Sequence, residues 1–128
     1  MSDFVALTVF AGIPVSDLAR AIDWYGEVWC RVPDARPAPG IVDYYLAENR
    51  VPERGTLQLR EDAARAGGGM ATINVRDIDP VAATLQSLGV PFETQVFPID
   101  AETVSAVTVG TFEDPDGNAI TIVQPHLR

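Results

Sequence analysis

Ile13-Pro14-Val15-Ser16-Asp17-Leu18 is echoed sixty positions later by Ile73-Asn74-Val75-Arg76-Asp77-Ile78. In both places an apolar, strand-like strip runs into an aspartate and then an amphipathic stretch. More strand-like segments follow each one. Two copies of a unit that cannot bury its own apolar face pack together and leave a concavity between them. The repeat predicts two matching halves, with function in the concavity.

Outward from the first strip, residues 4–15 alternate as a strand. Val9, Ala11, Ile13 and Val15 make one face; Phe10, Gly12 and Pro14 make the other. Pro14 has no N–H to donate, which places this end at a sheet edge or a bulge. Ser16 or Asp17 caps the helix that follows. Leu18, Ala21, Ile22, Tyr25 and Trp29 form its buried stripe, and Trp24 falls off that stripe. Residues 31–40 hold three prolines and read as a loop. Residues 41–46 and 56–60 read as strands, with a turn at 49–55. Residues 61–69 end in three glycines and read as a flexible connection.

The second half repeats the order. Residues 70–75 are a strand. Asp79 is placed to cap a helix, with Pro80 in its first turn. Val81, Leu85 and Leu88 are its buried stripe, and Gly89 ends it. Residues 91–97, 104–112 and 119–124 follow as strands. Asp114-Pro115-Asp116-Gly117 is a tight turn between the last two. Each half is read as strand–helix–strand–strand–strand.

Composition bounds the partners. A chain of 128 residues, 47% of them hydrophobic, makes one domain. No apolar run approaches the roughly 20 residues of a membrane span. Met1-Ser2-Asp3-Phe4 lacks the positive start of a secretory signal, so a cytoplasmic protein is expected. The net charge of −9 repels nucleic-acid phosphates and anionic lipids; neither is an expected partner. A cationic guest is favoured. All nine basic residues are arginine, which excludes Schiff-base and phosphate-loop lysines. Cys30 is the single cysteine, so there is no internal disulfide and no multi-cysteine zinc site. Beside Trp29 it reads as a small buried hydrophobe. His126, the single histidine, reads as a solvated tail residue.

This order, with Ile13-Pro14-Val15-Ser16-Asp17-Leu18-Ala19-Arg20-Ala21-Ile22-Asp23-Trp24-Tyr25 and Phe112-Glu113-Asp114-Pro115-Asp116-Gly117-Asn118-Ala119-Ile120, resembles the vicinal oxygen chelate superfamily. That group includes glyoxalase I, extradiol dioxygenases and the bleomycin and fosfomycin resistance proteins. The resemblance implies an α+β fold: two βαβββ modules forming a cupped, incompletely closed mixed β-sheet barrel. Module one would span about 4–62, a glycine-rich linker about 63–69, and module two about 70–126, in a homodimer. One fold hosts many activities, so the likeness speaks to architecture more than chemistry.

The family's metal-ligand positions, carried over by motif, fall on Phe10, Gln58, Met70 and Thr121. Phenylalanine cannot ligate, methionine is a soft, weak ligand and threonine a poor neutral one; a divalent ion wants His, Asp or Glu. Neither a metal nor another cofactor is therefore expected. Strand alternation points Phe10, Gly12, Thr56, Gln58 and Arg60 into the cup from one half, and Met70, Thr72, Asn74, Ala119, Thr121 and Val123 from the other. Gln58, Thr72, Asn74 and Thr121 would orient a small-molecule ligand. Phe10, Met70 and Tyr44 or Tyr45 would give apolar contact, and Arg60 would meet an anionic group. The expected function is metal-independent binding of a small molecule by enclosure. The alternative is a metal-free isomerase, lyase or cyclase with an acid or base among Glu48, Asp43, Tyr45, Glu93 and Glu113.

Overall fold

A computed structural model describes residues 4–128; the reading of Met1 to Asp3 lies outside the described residues. The order is β1 (Phe10–Val15), α1 (Leu18–Trp29), β2 (Ala35–Ala38), β3 (Ile41–Tyr45), β4 (Thr56–Glu61), β5 (Met70–Asn74), α2 (Asp79–Ser87), β6 (Thr94–Pro98), β7 (Val104–Glu113) and β8 (Ala119–Leu127). The strands make two four-stranded mixed sheets, ordered β1-β4-β3-β2 and β5-β8-β7-β6, which do not close into a barrel. In each, the first strand runs parallel to the last and the remaining pairs are antiparallel. β1 and β5 lie at the sheet edges and approach each other.

The sixty-residue echo reappears as matching hydrogen bonds. The Leu18 N–H that opens α1 donates to Glu61 Oε2 at the end of β4, 3.0 Å. The Ile78 N–H at the start of α2 donates to Gln124 Oε1 in β8, 2.9 Å. In both halves a side chain from the last strand satisfies a helix-opening N–H that has no intrahelical partner.

The core lies between helices and sheets. Ile13, Val15, Leu57, Leu59, Val42 and Tyr44 are buried in the first half; Leu85, Phe112, Ile120 and Ile122 in the second. Tyr25 stacks on Trp29 with centroids 5.7 Å apart, and Trp24 meets Tyr25 edge-on at 4.9 Å. Trp24, off the predicted stripe, is thus a packing residue.

Several sequence expectations are corrected. β1 starts at Phe10, whose partner Thr56 begins β4; residues 4–9 have no strand to pair with, and Val9 is exposed rather than packed. The proline-rich stretch contains the edge strand β2, where Pro37 is tolerated because one side of an edge strand needs no ladder donor. Asp79 is the first residue of α2 and not its cap; the N-cap is Ile78, which has no side-chain cap bond, and the Asp79 N–H donates to Asp77 Oδ1 at 3.0 Å just outside it. Cys30 is exposed, because it is the left-handed C-cap of α1 at φ 56°. His126 is no tail residue. β8 runs on to Leu127, and His126 Nε2 sits 2.7 Å from Thr108 Oγ1.

The glycine run is not a flexible connection. Asn118 Oδ1 accepts from the N–H groups of Gly67 (3.0 Å) and Gly69 (2.7 Å), while its Nδ2 donates to Pro14 O (2.7 Å) and Asp114 Oδ2 (2.8 Å). A Cβ on Gly69 would stand 2.6 Å from Pro14 Cδ, and one on Gly67 2.4 Å from Asp116 O. Asp114 also takes the Tyr25 hydroxyl at 2.8 Å. Asp116 accepts from Ser16 N (3.0 Å) and Ser16 Oγ (2.6 Å), which holds its carboxyl below the usual 3.8. The 114–118 turn of the second half is thereby fastened to β1 and α1 of the first.

Replacing Asn118 with alanine would strand two N–H groups and a carbonyl. Asn118→Ala is expected to lose about 3 kcal/mol in denaturant titrations, against under about 0.5 kcal/mol for Arg65→Ala in an exposed ion pair with Asp62. The tyrosines give a contrast. Tyr25→Phe should destabilise by about 1–2 kcal/mol, whereas Tyr44→Phe should be neutral or stabilising, since the buried Tyr44 hydroxyl has no partner among the described residues. Burial pushes the Tyr44 phenol from 10.0 up to about 12; burial and the Asp114 carboxylate push Tyr25 further. Below pH about 10 both phenols are neutral folded or unfolded; above it the unfolded chain ionises first, so stability falls as pH rises toward the folded values. Urea midpoints should fall above that pH, less steeply in Tyr44→Phe.

Candidate functional site

The strand registers build one continuous face on each sheet. In the first, Phe10 pairs with Thr56, Gly12 with Gln58 and Pro14 with Arg60; across β4 the same positions meet Tyr45, Asp43 and Ile41. In the second, Met70 pairs with Ala119, Thr72 with Thr121 and Asn74 with Val123, and Thr121 meets Thr111 of β7. Residues one step along point to the opposite face, where the core lies.

Most predicted site residues stand in the open. Met70 is 78% exposed and Phe10 40% exposed. Thr72, Asn74 and Arg60 are exposed; Gln58, Tyr45 and Thr121 are half-buried. Arg60 Nη1 donates to Gln58 Oε1 at 3.2 Å, which ties the guanidinium down on β4. Thr121 Oγ1 lies 2.8 Å from Thr111 Oγ1. Gln58, Arg60 and Tyr45 share one sheet face, while Met70, Thr72, Asn74 and Thr121 share a face of the other sheet.

A cavity of about 370 Å³ opens where the start of β1 meets the end of β5. Thr72 and Asn74 line it with Ala11, Leu57, Ile73 and the exposed Val9; the other six predicted residues do not. A second cavity of about 350 Å³ lies outside the sheets, between α1 and the 114–116 turn, and is lined by Asp17, Asp23, Glu27 and Trp24 among others. The sequence reading placed nothing there.

Of the acid–base candidates, Glu48 is exposed and forms a two-point ion pair with Arg76. Glu93 and Glu113 are also exposed. Asp43 differs: it is only 5% exposed, and its Oδ1 has no hydrogen-bond partner among the described residues. Its position between the core residues Val42 and Tyr44 turns its side chain to the Gln58 face. Alternation places it on that face from sequence alone, and it is one of the acid–base candidates read from the sequence. As to metal, no three His, Cys, Asp or Glu side chains come together among the described residues. Phe10, Gln58, Met70 and Thr121 do not supply the donors a divalent ion takes.

No protein-family model matches the chain, and no curated protein matches it. Solved structures do. A glyoxalase/bleomycin resistance protein from Catenulispora acidiphila DSM 44928 is 28% identical, with a TM-score of 0.70 over 93% of this chain and 98% of that one. The chain has the vicinal oxygen chelate fold. TnmS3, an antibiotic-binding protein from Streptomyces sp. CB03234, shares this architecture at 24% identity and TM-score 0.67, covering 98% of this chain and 99% of its own. So does a bleomycin-binding protein in complex with bleomycin, at 13% identity and TM-score 0.65, covering 91% and 97%. Among vicinal oxygen chelate proteins with this architecture, some bind small molecules.

Proposed function

We propose that this chain is a metal-independent small-molecule-binding protein that sequesters its ligand in the cup between its two βαβββ halves. The observation that carries the reading is the side-chain chemistry of the cup face. Amides, hydroxyls, an aromatic ring and a thioether occupy the places where this fold's metal enzymes hold ligands. Such a face fixes a guest by contact and hydrogen bonding but gives a metal ion no purchase. The antibiotic-binding and bleomycin-binding proteins of the same fold support enclosure as its use. In this reading Phe10, Met70 and Tyr45 make apolar contact, and Gln58, Thr72, Asn74, Thr121 and Arg60 orient the guest.

The proposal places the protein in the cytoplasm as a homodimer with no nucleic-acid or membrane partner. No helix among the described residues is long and apolar enough to cross a membrane. Phe4, Val5, Leu7 and Val9 are each more than 80% exposed, apolar area that a second copy would cover. A second reading, a metal-free isomerase, lyase or cyclase, draws on one observation, the buried carboxylate of Asp43.

Protein purified without an affinity tag should carry well under one equivalent of divalent metal by elemental analysis; stoichiometric zinc, iron, manganese or nickel would overturn the proposal. A thermal-shift screen of antibiotics should return a guest. At a hundred times its dissociation constant it adds about 2.7 kcal/mol of stability. Light scattering should give about twice the 13.8 kDa of one chain, and a monomer at working concentration would refute the dimer.

A further inference from the structure

The two cavities differ in charge. The one beside α1 is lined by Asp17, Asp23, Glu27 and Asp116, with Arg20 among them. The one where β1 meets β5 has no acid in its lining, and its one ionisable residue is Arg54. A chain with 18 acidic residues against 9 arginines thus presents one cavity of positive local charge. Leu46, Leu57 and Ile73 give that cavity apolar walls, and Thr72 and Asn74 bring a hydroxyl and a carboxamide. Its volume of about 370 Å³ suits a small organic molecule.

The chain fixes the base of Arg54 and leaves its end open. The Arg54 N–H donates to Val51 O at 3.1 Å, closing one short 3-10 turn over Pro52–Arg54. Thr56 Oγ1 donates to Pro52 O at 2.9 Å, and the Leu46 N–H donates to Gly55 O at 3.1 Å. These bonds fasten the turn to β4 and to the end of β3. Arg50, Arg65 and Arg76 are spent in ion pairs; Arg54 is in none among the described residues. It is exposed, so standing unpaired costs it nothing. What it offers is a planar fork of N–H donors at the mouth of an acid-free cavity.

We infer that Arg54 recognises an anionic group on the ligand, so that the guest is an amphipathic organic anion: a carboxylate or sulfonate on an apolar body. The inference rests on the binding reading above and deepens it. The apolar body lies against Leu46, Leu57 and Ile73, and its acidic group turns to the rim, where a guanidinium makes charge-assisted hydrogen bonds. The net charge of −9 opposes an anion at long range. At physiological salt that field is screened beyond about 8 Å, so the charge lining the cavity decides what is held there.

The test uses two fluorescent probes with the same ring system, 8-anilinonaphthalene-1-sulfonate and the neutral N-phenyl-1-naphthylamine, titrated into the full chain. Wild type should bind the sulfonate about tenfold more tightly than the neutral probe. Arg54→Gln should abolish that preference and keep the neutral probe's affinity. Arg65→Gln, which changes the net charge equally at a distance, should retain the preference. Ligand-free Arg54→Gln should melt within about two degrees of wild type, as an exposed substitution does. Equal affinities in wild type, a preference that survives Arg54→Gln, or one that Arg65→Gln also removes overturns the inference while the receptacle stands. Melting several degrees lower overturns it too, because Arg54 would then be a structural residue. If neither probe binds wild type, the receptacle reading falls and this inference with it.

Discussion

The carboxamide of Asn118 holds the two halves in register. It makes four hydrogen bonds, accepting from the Gly67 and Gly69 N–H groups of the connecting segment and donating to the β1 carbonyl of Pro14 and to Asp114. It is fully buried, so each of these bonds replaces one to water that is no longer available. Asp114 passes the connection to Tyr25 on α1, and Asp116 passes it to Ser16. One turn of the second half therefore fixes the end of β1, the entry to α1 and the path of residues 67–69. The edge strands β1 and β5 approach each other under that constraint.

Within that frame each sheet has two unlike faces. The helix-covered faces are built from Ile, Leu, Val and aromatic side chains, most of them fully buried. The other faces carry amides, hydroxyls, Phe10, Met70 and a buried acid, Asp43. The proposed receptacle draws on this division of labour: stability resides on one side, so the other is free to vary with the guest. The vicinal oxygen chelate fold uses the same positions for metal ligands in its metal enzymes, which this chain's side chains are unsuited to be.

Much of the fold was legible in the chain because it rests on local periodicity. The repeat around Ile13 and Ile73, the α1 stripe and the Asp114–Gly117 turn are nearest-neighbour signals, and all reappear in the structure. The errors came where a distant partner decides. Residues 4–9 alternate like a strand but have nothing to pair with. Residues 35–38 look like a loop but gain a ladder from β3. His126 looks terminal but is carried into β8 by its pairing with Ala106. The three glycines look like slack until Asn118, some fifty residues later, holds them.

The same division applies to the candidate site. Which residues share a sheet face was determined by the sequence alone, since a strand's side chains alternate whatever surrounds them. The unsuitability of Phe10, Met70 and Thr121 as ligands is likewise a matter of side-chain chemistry. Only the tertiary structure decided which of those residues are enclosed. Burial depends on what packs above a strand, and that separates Met70, standing in solvent, from Asp43, sealed with an open acceptor.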